Sequence, residues 1–137
     1  FGADSVVRAQ TIDWNKIGDH IVGTFVKARH GIETQYGENS IYEFYAEKGT
    51  FHRKDGAEVK INKGEAWSVW GRNDIFNGQM NSLRPGQVVK LTFTEEKKGS
   101  MGNPAKIIKI FAPKNNDGTI VMNQEWLDAQ GVSGGDM

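Results

Sequence analysis

The sequence predicts an all-β protein with a small α content: a five-stranded Greek-key barrel with a short helix between strands 3 and 4. Three observations lead there. Residues 67–111 contain three apolar-rich runs, 67–70, 88–93 and 107–111. Between the first two, Ile75, Phe76, Met80 and Leu83 recur at a helical spacing. Upstream, residues 21–30 alternate and residues 40–46 hold three aromatics, which supplies the two strands still needed.

In chain order, residues 1–18 lack clear periodicity, although Trp14 and Ile17 could form one turn that plugs the end of a barrel. In residues 21–30 the alternation puts Val22, Thr24, Val26 and Ala28 on one face and Ile21, Phe25, Lys27 and Arg29 on the other. Gly23 sits mid-strand, where a barrel strand bends sharply. Residues 31–39 are turn-rich and lead into the second strand, 40–46. Residues 47–64 read as an insertion, with 50–52 and 59–61 as the arms of a small hairpin around Lys54-Asp55-Gly56. Residues 67–70 are the third strand, and Arg72-Asn73-Asp74 caps the helix that follows. After the Arg84-Pro85-Gly86 turn come the fourth strand (87–94), a loop over 95–104 carrying Lys97 and Lys98, and the fifth strand (105–112). A short helix is expected over 124–129. The domain is thus 1–114 with its core at about 18–112, and 115–137 is an acidic C-terminal tail.

The chain has 137 residues, 37% hydrophobic and 25% charged, with a mean hydropathy of −0.56, as expected of one polar globular domain. No apolar run approaches the roughly 20 residues of a membrane span, so no membrane association is expected. Without cysteine there is no disulfide framework or thiolate chemistry, which fits a cytoplasmic location. The net charge of zero hides a polarity. Residues 84–114 hold seven Lys and Arg against two acids, and residues 115–137 hold four acids and no cation.

The strand order 1-2-3, helix, 4-5 is that of the oligonucleotide/oligosaccharide-binding (OB) barrel. The segment WSVWGRNDIFNGQMNSLRPGQVVKLTFTEEKKGSMGNPAKIIKIF resembles the closing half of the OB-fold proteins of phages and prokaryotes that bind single-stranded DNA. The matching positions are Gly71, Leu83, Pro85, Gly86, Val88, Leu91, Phe93, Gly102 and Lys106. The upstream GDHIVGTFVKARHGIETQYGENSIYEF is similar to the first hairpin of that group, so the resemblance covers roughly residues 18–112. It implies binding of single-stranded DNA with little sequence preference, protecting it during replication or recombination, in the host cytoplasm if the chain is phage-encoded. RNA stays open as a ligand. The acidic tail would meet replication proteins, and the edge strands with the 47–64 insertion offer a route to a homodimer.

Binding of this kind requires cations along a groove and aromatic faces on which bases stack. The candidate nucleic-acid-binding residues are Phe25, Lys27 and Arg29 on strand 1, Tyr36 in the 1–2 loop, and Tyr42 on strand 2. Trp70 and Arg72 at the end of strand 3, with Lys97 and Lys98 in the 4–5 loop, complete the set. Alternation sends about half of the strand aromatics into the core. Trp67 and Trp70, three apart, must point to opposite faces, and Trp70 beside Arg72 is expected outside. His20, His30 and His52 have no metal-binding spacing, no nucleophile motif is present, and neither cofactor nor enzymatic activity is expected. A protein-interaction module or structural subunit built on the same fold is the alternative, and saccharide binding through the tryptophans a third reading.

Overall fold

A computed structural model describes residues 10–35, 37–98 and 104–130. The architecture is all-β. Seven strands, β1 (Gln10–Thr11), β2 (His20–Thr34), β3 (Gly37–His52), β4 (Glu58–Ile61), β5 (Ala66–Trp70), β6 (Val88–Lys98) and β7 (Pro104–Phe111), make one mixed sheet. Helix α1 (Asp74–Asn81) joins β5 to β6, and α2 (Gln124–Ala129) follows β7. The order across the sheet is β1-β5-β3-β2-β6-β7, with β4 paired to β3. All pairings are antiparallel except the short parallel one between β1 and β5.

The expected neighbours 3-2-1-4-5 are therefore present as β5-β3-β2-β6-β7. Among the described residues β5 and β7 do not pair, and the sheet is open. The free side of β5 is taken by β1, with Ile12 N donating to Ser68 O (3.0 Å). From there the chain passes Trp14, which is buried in the core and whose carbonyl accepts from Lys106 Nζ on β7. It reaches β6 where Gly18 N donates to Phe93 O (2.8 Å) and Phe93 N to Asp19 O (2.8 Å). Trp14 thus takes the enclosed position expected of it, while Ile17 is exposed.

Strands β2 and β3 are longer than their alternating cores suggested, and most of 31–39 is strand. The two arms expected within the insertion, 50–52 and 59–61, do pair, but as an extension of the main sheet: β3 runs unbroken to His52, and β4 pairs with its last four residues. Three register shifts bend the β2–β3 ribbon. One decides the faces. Phe25 pairs with Phe44 and Lys27 with Glu43, so Val26 is an extra residue and inverts the inside–outside alternation of β2 beyond it. Ile21 and Phe25 point into the core, whereas Lys27 and Arg29 point out. The single face expected for these four residues is corrected accordingly.

The core is built from cross-strand rows: Phe25–Phe44–Trp67 in one place, Ile61–Gly49–Ile21–Leu91–Ile110 in another. Gly49 is required by close approach, since a Cβ there would overlap the His20 carbonyl oxygen. Helix α1 starts at an Asn73 cap whose side chain accepts from Phe76 N (2.8 Å), and buries Phe76 and Met80. Ile75, one step round the helix from Phe76, is exposed despite its place in the apolar spacing.

The described part of the expected tail packs on the sheet. Val88 N donates to Val121 O (2.9 Å), Asn123 N to Gly86 O (2.7 Å) and Asn123 Nδ2 to Thr24 Oγ1 (2.7 Å). Leu127 occupies the space a Cβ on residue 86 would need, 2.8 Å away, and Gly86 has φ +94°, so glycine fits there on both counts. No helix among the described residues is long and apolar enough to cross a membrane.

One buried charge ties the start of β2 to the end of β3. The Asp19 carboxylate accepts from Asn15 N (3.1 Å), Lys16 N (3.0 Å), His52 N (3.3 Å) and His52 Nδ1 (2.7 Å). Desolvation pushes this carboxyl up, but the hydrogen bonds from the His52 side chain and the three backbone N–H groups outweigh it and hold its pKa below the ordinary 3.8. A carboxyl lowered by folding contributes stability above its unfolded pKa and loses that contribution as the pH falls through the folded value. We expect urea-unfolding stability to drop, as the pH falls below about 4, more steeply in the wild type than in Asp19→Ala. That variant should be less stable by about 2–3 kcal/mol at neutral pH. Parallel pH profiles for the two proteins would refute this.

Candidate functional site

The outward face of the sheet can be read row by row from the strand registers. At one end is the row Trp70–Ile41–Arg29, beside it Ser68–Glu43–Lys27, and then Ala66–Tyr45–Thr24–Val88. The third row is where Asn123 and α2 dock, and a cleft of about 350 Å³ opens there between Tyr45, Lys63 and Trp126. The first two rows carry the candidate site.

Trp70 is outward and partly exposed, and Trp67 is buried, as their three-residue spacing implies. The Trp70 ring lines a cleft of about 500 Å³ with Thr34, Gln35, Glu38, Asn39 and Arg72. The end of β5 is fixed to the start of β3 by Gly71 N donating to Ser40 O (2.7 Å) and by Asn39 Nδ2 donating to Gly71 O (3.3 Å). Asn77 of α1 accepts from Arg72 N (2.9 Å), which fixes the Arg72 backbone beside the cleft. Desolvation lowers the Arg72 pKa from its ordinary value even though the residue keeps an exposed surface, and a guanidinium still remains cationic at neutral pH.

Arg29 and Lys27 are exposed on the adjoining stretch of β2. Arg29 Nε lies 2.7 Å from Glu43 Oε2, and Glu43 is also the register partner of Lys27. Two cations therefore flank one carboxylate, and the Trp70 cleft beside them holds both Arg72 and the carboxylate of Glu38, whose register partner is Glu33. With Arg72, the arrangement offers one aromatic face and three cationic groups, interspersed with the carboxylates of Glu43 and Glu38. A single-stranded polyanion with planar bases matches that chemistry.

Other expected contacts lie elsewhere. Phe25 is 4% exposed and packs edge-on against Phe44 (centroids 5.8 Å apart). Tyr42 is fully buried, edge-on to Phe76 and to His30, and its hydroxyl donates to Asn81 Oδ1 (3.3 Å). Burial pushes the Tyr42 phenol above its usual range, against the hydrogen bonds of Ser40 and Asn81. Neither ring has a free face for stacking, because both occupy inward positions of their strands. Lys97 is exposed on β6 with Glu95 at 3.9 Å, on a different stretch of the sheet from Trp70. Tyr36 and the side chain of Lys98 lie outside the described residues. Asn39 escaped the sequence reading because residues 31–39 looked like loop; an Asn just ahead of an aromatic strand was the available signal. Among the described residues no group of three or more His, Asp or Glu is placed to hold a metal ion.

No family model, curated protein or solved structure matches the chain.

The division between core and surface aromatics is measurable by stability. Phe25→Ala should destabilise the fold by about 3–5 kcal/mol. Trp70→Ala should change it by about 1 kcal/mol or less. Urea denaturation of both variants checks this, and equal losses would contradict the assignment of faces.

Proposed function

We propose that this protein binds single-stranded DNA with little sequence preference, through the outer sheet surface around Trp70, and protects the strand during replication or recombination. The observation that carries the reading is the pair of outward rows that sets Trp70 and Arg29 on one surface with Lys27, next to Arg72. Phosphates lie along the three cations and a base stacks on the indole. Backbone charge and stacking are both blind to base identity, so the expected preference between sequences is weak.

On this reading the sheet is an OB-type barrel. The order β5-β3-β2-β6-β7 and the helix between β5 and β6 support that identification. Its seam between β5 and β7 is filled by β1, Trp14 and α1 in place of a direct strand pairing. The reading also makes the protein a non-enzyme, its surface serving to hold the strand without chemistry.

Binding can be followed by tryptophan fluorescence, because Trp70 and Trp126 are partly exposed and open to quenching by a bound base, whereas Trp14 and Trp67 are buried and add a constant background. Oligo-dT should quench it, and the affinity should fall linearly with salt on logarithmic axes, with a slope of about 0.7 per phosphate contacted. Trp70→Ala should weaken binding by about 1–3 kcal/mol, and Arg72→Ala should make the salt slope shallower. Absence of quenching and of any gel shift at low salt would overturn the proposal.

A further inference from the structure

Beyond the row covered by α2, the same outer face carries two more cross-strand rows. One reads Lys48–Val22–Lys90–Phe111 across β3, β2, β6 and β7; the other reads Lys60–Thr50–His20–Thr92–Lys109 across β4, β3, β2, β6 and β7. All four lysines are exposed, and neither row contains a carboxylate. Phe111 is 50% exposed, opposite Lys90, and lines a cleft of about 490 Å³ with Val22, Lys48 and Val88. With neighbouring strands about 4.8 Å apart, Lys48 and Lys90 stand roughly 10 Å from each other across Val22.

We propose that these two rows are a second contact surface for single-stranded nucleic acid, engaged by the part of a long strand that extends past the Trp70 cleft. The inference rests on the function proposed above. Three physical points carry it. Like charges set in adjoining rows repel in the unliganded protein, and a polyanion relieves that repulsion. A half-exposed aromatic ring directly opposite a lysine provides the stacking face that a base requires and that an acidic peptide does not. Strand β2 carries both surfaces: from Val22 to Lys27 is about 16 Å along the strand, a span that an extended polynucleotide covers by passing beside α2, which is docked on the Thr24 row between them.

The test compares a short oligo-dT of about 6 nucleotides with one of about 20, since a single OB domain covers about 4–16. Affinities are measured by anisotropy for the wild type, Trp70→Ala and the triple variant Lys48→Ser/Lys90→Ser/Phe111→Ser, with thermal melts as the control for folding. The triple variant should bind the short oligonucleotide as the wild type does. It should bind the long one about tenfold or more weakly, with a salt slope shallower by about 1.4 for the two lost phosphate contacts. Trp70→Ala should weaken both lengths. If the triple variant fails to melt cooperatively, Lys48→Gln and Lys90→Gln singly should each lower long-strand affinity alone. Wild-type-like binding of the long strand, equal loss for both lengths, or polyglutamate competing as well as oligo-dT for the wild type would each overturn the inference and leave the Trp70 site standing. Binding of neither length by the wild type would instead remove the proposed function and this surface with it.

Discussion

Strand β2 pairs with β3 along its whole length and with β6 along its first third, and the rest of the structure depends on that double pairing. A strand with neighbours on both sides has its backbone donors and acceptors satisfied, so its side chains are sorted by pleat alone. Each inward position of β2 must then find an apolar partner in β3 and, where it is present, in β6. Ile21 meets Gly49 and Leu91, and Phe25 meets Phe44. Each outward position inherits a row that runs across the sheet. The core and the charged surface are two faces of one alignment, and a slip of one residue would exchange them.

That alignment explains which parts of the fold were legible in the sequence. The strands could be read because alternation and turn residues are local signals, and α1 because Asn73 and the Phe76–Met80–Leu83 spacing mark both its start and its buried side. Trp67 and Trp70 were separable by parity in an unbroken strand. Parity failed at Phe25, Lys27 and Arg29 because residues 21–29 alternate in composition straight through Val26. The bulge shows only in the pairing with β3, where Phe25 and Lys27 face successive residues. Similarly, β1 is a two-residue strand whose existence depends on the unoccupied side of β5. Nothing in the composition of residues 113–130 announces that Asn123 will reach Thr24. The all-β class was therefore readable, while the way the sheet ends and what covers it are properties of the tertiary structure.

The candidate site shows the same division. Trp70 and Arg72 follow directly in sequence, and reading them together needed only the strand end at Gly71. Asn39, Asn77 and Glu43 support or balance them from elsewhere in the chain, through contacts that no spacing rule supplies. The zero net charge of the chain proved a poor guide, because carboxylates and ammonium groups are sorted by row. Glu43 moderates the cations near Trp70, whereas the rows ending at Phe111 and Lys109 carry no acid.

The extra residue at Val26 also sets how this chain can change. Flattening the bulge with every residue kept, so that Val26 takes a regular paired position, would turn the following stretch of β2 over, bringing Lys27 and Arg29 inward and Ala28 out to solvent. Deleting Val26 would instead keep their faces, because Phe25 and Lys27 already oppose successive residues of β3. A point substitution at Lys27 alters one charge; loss of the bulge at constant length inverts the polarity of every position up to the next register shift. Related chains carrying the same surface should therefore either keep the bulge or drop the bulged residue together with it, and any that flattened it at the same length would have had to build the surface anew from a different set of residues.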